Sequence, residues 1–319
     1  EWGWIQNKNG GIPMTGKKLT PAQKFDEANK NFKTVYRDRK RQHHLKYRFL
    51  HNWTLKKSQY LMNDEKAYKG NKKVYRRGAI VNVDFGVNVG TELSGNHFAI
   101  VLTKDDSPKN EKLTVIPLSS HYHPHSISLK NTVKTSGSDY LFNKQLDFIA
   151  LYAALLYFRQ KLYKQMDEAK NEKALTPHEL LEKVKTTIFI KHMDDFQKVE
   201  EVIEKSLKND NTARSLIKTV SPEIAGNQDP LSTEFLENTA KAISEFTIVV
   251  EKYSKYNLAT YAKVGDITTV SKARLMKINR YDPIGKILSD DATLNEIDSE
   301  LKEMFTKKAK KIDTLQSGS

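Results

Sequence analysis

The segment from Gly90 to His97, Gly-Thr-Glu-Leu-Ser-Gly-Asn-His, places one acid and one histidine between two runs rich in β-branched residues. Two turn residues are enough to connect the strands of a hairpin, so Glu92 and His97 indicate a purpose beyond the turn. A histidine titrates near neutral pH and can carry a proton in either direction during catalysis. The alternative is a structural role, in which Glu92 binds backbone amides and His97 is an ordinary surface residue.

A second group of polar side chains follows the third apolar run, in the segment Ser-Ser-His-Tyr-His-Pro-His-Ser from Ser119 to Ser126. Its serines and histidines are hydroxyl donors and acid-base groups, which favours a catalytic role. Alternating histidines on one strand face would also suit a metal ion. No cluster of carboxylates accompanies them, and we therefore predict neither a metal site nor a cofactor.

Positive charge is concentrated in the first quarter of the chain. The net charge is +14, and the residues from Glu1 to Arg76 hold 19 Lys and Arg against 6 Asp and Glu. The segment from Tyr36 to Trp53 mixes cations with aromatic rings, a composition that suits the phosphates and bases of a nucleic acid. The alternatives are a solvated helix face or an arm that docks on an acidic partner. The cations expected to contact RNA are Arg37, Arg39, Lys40 and Arg41.

Composition excludes several classes of protein. The absence of cysteine excludes disulfide scaffolds and cysteine-ligated zinc, and it fits a reducing compartment. The most apolar stretch, from Phe148 to Phe158, is far shorter than the ~20 residues that a membrane helix requires. The N-terminal residues lack the charged head and apolar centre of a signal peptide. We therefore expect a cytoplasmic protein with no membrane partner.

The first predicted element is a basic helix. Thr20-Pro21-Ala22-Gln23 is a helix start, with a capping threonine, proline at the first helical position and a glutamine able to close a capping box. Apolar residues then follow at helical spacing, which predicts a helix that continues into the forties. Beyond it, alternation with a period of two predicts strands in residues 79–85, 97–103 and 112–120.

Helical character interrupts the strands and then gives way to them again. Helices are predicted in residues 140–168, from Thr176 to about Leu207, and in residues 232–254. Strand character returns in residues 261–270, 272–277 and 285–287. A capping box from Thr293 to Glu296 then predicts a C-terminal helix.

This order predicts an α+β fold made of four segments. They are residues 1–73, a basic and mainly helical extension; residues 74–130, the first half of a small β-barrel; residues 131–257, a helical insertion; and residues 258–315, the second half of the barrel with a C-terminal helix. The three helices of the insertion can bury their apolar faces on each other. We expect the insertion to offer a surface to a partner or to a second copy of the chain.

Residues on both sides of the insertion resemble the MazF/PemK family of toxin ribonucleases. The first part comprises Arg-Arg-Gly-Ala-Ile-Val from Arg76, the loop Gly-Thr-Glu-Leu-Ser-Gly from Gly90, and Lys-Leu-Thr-Val-Ile-Pro-Leu-Ser-Ser from Lys112. The second part runs from Tyr261 to Ile278 and on into the final helix. The resemblance covers residues 74–129 and 258–306. It implies an SH3-like small β-barrel with a C-terminal helix.

The resemblance also implies an activity and partners. The family cuts single-stranded RNA without a metal ion, using the ribose 2′-hydroxyl as the nucleophile, and antitoxin proteins hold its members in check. That chemistry needs a base for the 2′ proton, a donor or cation on the non-bridging phosphate oxygens, and an acid for the leaving 5′-oxygen. Single-stranded RNA and an antitoxin are therefore the expected partners.

Carried over position by position, the family's catalytic residues fall on His97, Ser119, Glu92 and Asp266. His97 stands where the family has an arginine, and Thr268 stands where it has a second one. An arginine is a permanent cation with a fixed fork of donors, whereas a histidine is titratable and can move protons. The further residues expected to contact RNA are Arg76, Arg77, Ser94, Asn96, Ser120, His121, His123, Thr268 and Thr269.

Three hypotheses for the function follow from these substitutions. In the first, the protein is an active endoribonuclease toxin, from a toxin-antitoxin or phage-defence system, in which His97 takes a rewired acid-base role. In the second, the same barrel binds RNA without cutting it. In the third, the protein is an interaction module whose working surface is the helical insertion.

Overall fold

Helices and antiparallel strands both contribute to the structure, which confirms the predicted α+β class. The computed structural model describes residues 19–64, 73–129, 132–165, 176, 179, 182, 200–201, 203–205, 210–220, 229, 232–254 and 260–306. The chain divides into two units, which are treated separately below. The first is Glu1–Ala67 with Phe85–Gly95, and the second is Tyr68–Asp84 with Asn96–Ser319. The four-segment division stays a prediction.

The first unit opens with helix α1, Pro21–Arg37, which begins at the predicted capping box. The Gln23 backbone N–H donates to Thr20 Oγ1 at 3.3 Å, and the Thr20 backbone N–H donates to Gln23 Oε1 at 2.9 Å. The prediction that this helix continues into the forties is wrong. Its C-cap, Asp38, is extended, accepts a hydrogen bond from the Lys40 backbone N–H at 2.9 Å and pairs with Arg41. A short carboxylate that binds nearby backbone offers the chain an alternative to the helix.

Three short elements complete the helical part of this unit. A single 3-10 turn covers Arg41–His43, helix α2 covers Leu45–Arg48, and helix α3 covers Leu50–Met62. Their apolar side chains are largely exposed, and Leu50 is the one buried residue among the described helical residues of this unit.

The second unit contains seven strands. They are β1 Ile80–Asp84, β2 Asn96–Val101, β3 Lys112–Ser119, β4 Ser126–Ser128, β5 Tyr261–Lys263, β6 Thr268–Ser271 and β7 Leu275–Met276. Their order is β4-β5-β3-β2-β1-β7, with β6 also beside β3, and every pairing is antiparallel. The order has two ends, so the sheet is not closed. The strands before and after the helical segment interleave because β5 and β6 both pair with β3.

Four helices accompany the sheet: α4 Thr132–Gln165, α5 Asp210–Val220, α6 Thr233–Ser254 and α7 Asp291–Phe305. The helix predicted in residues 232–254 is confirmed. The predicted start of α7 at Thr293 is wrong, because the N-cap is Asp290, whose Oδ1 accepts from the Thr293 backbone N–H at 2.6 Å. Thr176 and Glu179 form the predicted reciprocal cap, while most of the helix expected after them lies outside the described residues. No helix among the described residues is long and apolar enough to cross a membrane.

One hydrophobic core joins the sheet to the helices of the second unit. The Phe98 ring of β2 lies 4.6 Å from the Tyr253 ring of α6, centroid to centroid. The Phe148 ring of α4 lies 5.5 Å from the ring of Tyr281. The helices also pack on each other as predicted, since the Phe148 ring of α4 lies 5.3 Å from the Phe246 ring of α6, and the same core includes the strands.

A buried carboxylate fixes the C-terminal end of α6. Tyr253 donates its hydroxyl to Asp282 Oδ1 at 2.9 Å, and the Ile278 backbone N–H donates to Asp282 Oδ2 at 2.7 Å. Burial raises the pKa of Asp282, although these hydrogen bonds act in the opposite direction. Burial and the neighbouring carboxylate likewise raise the pKa of Tyr253. The pair links α6 to the segment that follows β7.

Candidate active site

His97 and Ser119 lie on the two paired strands β2 and β3. The paired residues run from Val101↔Val115 to Ala99↔Pro117. His97 and Ser119 are each two residues beyond that last pair, inside their own strands. Extended by two residues, this register would place His97 in one row with Ser119.

The same row continues across the sheet. Ser119 pairs with Tyr261 of β5, and Tyr261 pairs with Ser128 of β4. We call the four residues His97, Ser119, Tyr261 and Ser128 the polar row. The next row, in which Leu118, Ala262 and Ile127 pair, belongs to the hydrophobic core. Because side chains alternate between faces, the polar row points away from that core, and its four residues are half-buried.

The histidine-rich segment after β3 folds around Ser119. The His121 backbone N–H donates to Ser119 Oγ at 3.0 Å, and Ser120 Oγ lies 3.1 Å from His121 Nδ1. Tyr122 is exposed and packs edge to face on Tyr261, with ring centroids 5.7 Å apart. These contacts bring an imidazole and two aromatic rings to the polar row.

His125 ends this segment in an unusual conformation. Its φ is +58°, in the left-handed region that L-residues rarely adopt. Its Nδ1 lies 2.7 Å from Glu300 Oε1 on α7, and its backbone oxygen accepts from the Val264 backbone N–H at 3.3 Å. These contacts attach the end of the histidine-rich segment to the C-terminal helix.

Asp266, Thr268 and Thr269 lie on elements that follow β5. Asp266 lies in a 3-10 turn, Val264–Asp266, and forms an ion pair with Lys263. Thr268 and Thr269 are exposed on β6, opposite Val115 and Thr114. Val115 is four residues before Ser119 on β3, which corresponds to about 13 Å along a strand. Any RNA contact by Thr268 would therefore involve a different part of the sheet.

The paired arginines before β1 have different surroundings. Arg76 is exposed. Arg77 forms an ion pair with Asp298 of α7, with Nη2 and Oδ1 2.5 Å apart, and its Nη1 donates to the Leu102 backbone oxygen at 3.4 Å. The guanidinium of Arg77 therefore ties the C-terminal helix to the end of β2.

Glu92 and Ser94 belong to the loop Phe85–Gly95, in the other unit. Ser94 Oγ accepts from the Asn88 backbone N–H at 3.0 Å and donates to the Glu92 backbone oxygen at 3.3 Å. The Asn88 amide donates to the backbone oxygens of Phe85 and Leu93, at 3.0 and 2.7 Å. The loop is thus folded by its own side chains, and Ser94, predicted to contact RNA, contributes to that structure.

Two residues of the N-terminal helices hold this loop within its unit. Lys46 of α2 donates from Nζ to the backbone oxygens of Gly90 at 2.5 Å and Asn88 at 3.3 Å. Gly86 has a φ of +74°, and a Cβ placed there would overlap the indole ring of Trp53 on α3. Sequence reasoning missed Lys46, Trp53 and Tyr261, because each acts through a contact with a residue distant in the chain.

We predict that Gly86→Ala will release the loop from α3, because Trp53 must move to admit the new methyl group. Gly90→Ala is the matched control: Gly90 also has a positive φ, +59°, but no atom lies within 4 Å of its Cβ position. Both variants carry the strain of a left-handed alanine, on the order of 1–3 kcal/mol. Hydrogen exchange of the amides in residues 85–95 should accelerate much more in Gly86→Ala. Equal acceleration in the two variants would show that the Trp53 contact contributes nothing.

The four cations predicted to contact RNA lie at and after the end of α1. Arg37, Arg39, Lys40 and Arg41 are all exposed. Arg41 Nε lies 3.2 Å from Asp38 Oδ2, in a partly exposed ion pair. Exposed ion pairs contribute little stability. A ligand can therefore take the place of Asp38 as the partner of Arg41. No three His, Asp or Glu side chains in the described part of the chain are arranged to hold a metal ion.

Part of the chain matches a known protein family. Residues 76–145 match the family described as PemK-like, MazF-like toxin of type II toxin-antitoxin system. This segment is a MazF/PemK-like toxin domain. The matched toxin domain contains β1 to β4 and the start of α4, and with them His97 and Ser119. The N-terminal helices, β5 to β7 and α7 lie outside the match.

No curated protein and no solved structure was found to match the chain. Toxins of the PemK-like, MazF-like family generally imply an antitoxin partner and an RNA substrate. The resemblance of residues 258–306 to the closing half of the toxin domain stays a prediction.

Proposed function

We propose that the protein is a cytoplasmic endoribonuclease toxin, of a toxin-antitoxin or phage-defence system, that cleaves single-stranded RNA without a metal ion. The observation that carries the proposal is the match of residues 76–145 to the toxin family, within which His97 and Ser119 lie on the paired strands β2 and β3. We further propose that the strands correspond to the family's SH3-like barrel, that the long helices are an insertion into it, and that an antitoxin restrains the protein.

The proposed reaction is an attack of the ribose 2′-oxygen on the adjacent phosphorus. The new P–O2′ bond forms as the P–O5′ bond breaks, which gives a 2′,3′-cyclic phosphate and a 5′-hydroxyl. His97 takes the proton of the 2′-hydroxyl as the general base. An acid must return a proton to O5′, and His121, held beside Ser119 by its backbone N–H, is the group proposed for that role.

Ser119 is proposed to stabilise the developing charge on the non-bridging phosphate oxygens. Its oxygen accepts from the His121 backbone N–H, and a hydroxyl that accepts one hydrogen bond still carries its own O–H donor. Tyr122 and Tyr261 are proposed to stack on bases beside the scissile phosphate, because an aromatic ring stacks on any base. Glu92 and Asp266 stay proposed catalytic residues with roles still to be assigned.

Incubation of the full chain with an end-labelled single-stranded RNA in excess EDTA tests the proposal. We expect cleavage with 2′,3′-cyclic phosphate termini, and no cleavage of the same sequence made with 2′-deoxyribose throughout. Cleavage that EDTA abolishes would overturn the metal-independent mechanism. An absence of cleavage from acid to alkaline pH, with or without Mg²⁺, would overturn the nuclease assignment.

The second candidate function is RNA binding without cleavage. The observation in its favour is that His97 and Thr268 stand where the family has arginines, so two permanent cations are missing. This function predicts binding whose affinity falls steeply with salt, as release of counterions requires, and no product in the same gel.

A further inference from the structure

Helices α1 and α3 of the first unit carry apolar side chains on one side that no described residue covers. On α1, Phe32 and Tyr36 follow Phe25 by seven and eleven residues, and both spacings are close to whole turns of a helix. On α3, Leu55 and Met62 follow His51 by four and eleven residues, so these three side chains also lie on one side of their helix. We call these six residues the apolar strip. It lies outside the matched toxin domain, and no role in the proposed function accounts for it.

One contact joins the two halves of the apolar strip. The Tyr36 and His51 rings pack with centroids 4.8 Å apart, at the end of α1 and the start of α3. Phe32 and Leu55 lie four residues from this contact on their own helices, and Phe25 and Met62 lie eleven residues from it. Phe32 and Leu55 are therefore equally far from the Tyr36–His51 contact along their helices, and so are Phe25 and Met62.

The two apolar faces do not close on each other. The exposed fractions are 77% for Phe25, 43% for Phe32, 60% for Leu55 and 84% for Met62. Single exposed apolar residues are ordinary, but a set that repeats along one side of two neighbouring helices marks an interaction surface. A partner that covers this surface must be apolar on one side and long enough to contact both helices.

The charge around the apolar strip identifies the occupant. Residues 19–64 hold eleven Lys and Arg against four Asp and Glu. A second copy of the chain would bring the same positive charge, and the first eighteen residues, with three lysines and one glutamate, would also repel. RNA would match the charge, but the outer half of the strip on α3, Leu55 and Met62, is aliphatic and offers no ring on which a base can stack.

We infer that the apolar strip binds an acidic amphipathic helix of another protein. Its apolar face would cover Phe25, Phe32, Leu55 and Met62, and its carboxylates would meet the lysines and arginines on either side. This inference does not depend on catalysis by the toxin domain.

Fluorescence anisotropy of the full-length protein with a labelled synthetic helix tests the inference. The probe has leucines at helical spacing on one face and glutamates elsewhere, and its counterpart has lysine in place of every glutamate. We expect saturable binding of the acidic probe alone. Phe32→Ala combined with Leu55→Ala should weaken that binding at least tenfold, whereas Ile248→Ala, at an exposed position on α6, should leave it unchanged.

Other outcomes would overturn the inference. These are no binding of the acidic probe, equal binding of the lysine counterpart, or an affinity that the double variant does not change. Binding that appears only after removal of residues 1–18 would assign the strip to the chain's own start. A dimer lost in the double variant would assign it to a second copy, and loss of RNA affinity alone would assign it to RNA. Circular dichroism confirms that each variant is folded.

Discussion

His97→Ala should lower the single-turnover rate of RNA cleavage by about 100- to 10,000-fold, the usual contribution of a general base or acid. The proposed reason is that the register of β2 and β3, extended by two residues, would bring the imidazole opposite the hydroxyl of Ser119. Alanine leaves that hydroxyl and the strand pairing in place but removes the proton acceptor. The measurement is the rate at saturating protein with a short end-labelled RNA.

The pH profile separates catalysis by His97 from a structural contribution. A general base accepts a proton only when it is deprotonated, so the wild-type rate should fall as pH decreases. This acidic decline should disappear in His97→Ala. His43→Ala is the control, because His43 is exposed in the first unit and should not affect the rate. A wild-type rate in His97→Ala, or weaker RNA binding with an unchanged rate, would contradict the assignment.

Asp106→Ala should lower the free energy of unfolding by about 3–5 kcal/mol, the range for breaking a buried ion pair from one side. Lys272 Nζ lies 2.8 Å from Asp106 Oδ2, and the exposed fractions of the two side chains are 3% and 0%. The same carboxylate accepts from the Tyr75 backbone N–H at 2.8 Å and the Asn110 amide at 3.0 Å. The substitution leaves a buried ammonium whose other partners include the backbone oxygens of Lys73 and Ser107 and the Tyr75 ring.

Urea denaturation of the two neighbouring aspartate variants measures this effect. Asp105 is exposed, and Asp105→Ala should change stability by less than about 0.5 kcal/mol, as surface substitutions usually do. Equal losses of stability in the two variants would show that the Lys272 pair is not the cause.

Acid should weaken the same interaction. Burial raises the pKa of Asp106, but hydrogen bonds from Lys272, Tyr75 and Asn110 and the charge of Lys272 outweigh it and hold the pKa below its usual value. A carboxyl whose pKa is lower in the folded state contributes full stability above the unfolded value, near 3.9, and loses it as pH falls through the folded value. The stability difference between wild type and Asp106→Ala should therefore narrow with decreasing pH in that acidic range.

The sequence predicted the helices and strands better than it predicted which of them contact each other. The capping box at Thr20 and the helix in residues 232–254 depend on local spacing, and the structure contains both. The end of α1 at Arg37 was missed because the carboxylate of Asp38 competes for the backbone there. At α7, Asp290 precedes the predicted threonine and takes the capping position.

Of the candidate site, the sequence predicted only the residues on the consecutive strands β2 and β3. His97 and Ser119 lie on consecutive strands, whose register follows from the alternation of buried residues. Tyr261 reaches the polar row because β5 pairs with the end of β3, whereas Thr268 faces the beginning of β3. No local sequence pattern indicates that β5 pairs with the end of β3 and β6 with its beginning.

The pairing of Ser119 with Tyr261, on opposite sides of the long helices, constrains how the protein can form during synthesis. A nascent chain that has passed Ser119 but has not reached Tyr261 has no β5 to place beside β3. Loop closure over such a separation is also entropically costly and slow. The ribosome must therefore pass Tyr261 before the polar row is complete, so a chain released before that residue lacks the Tyr261 side of the row.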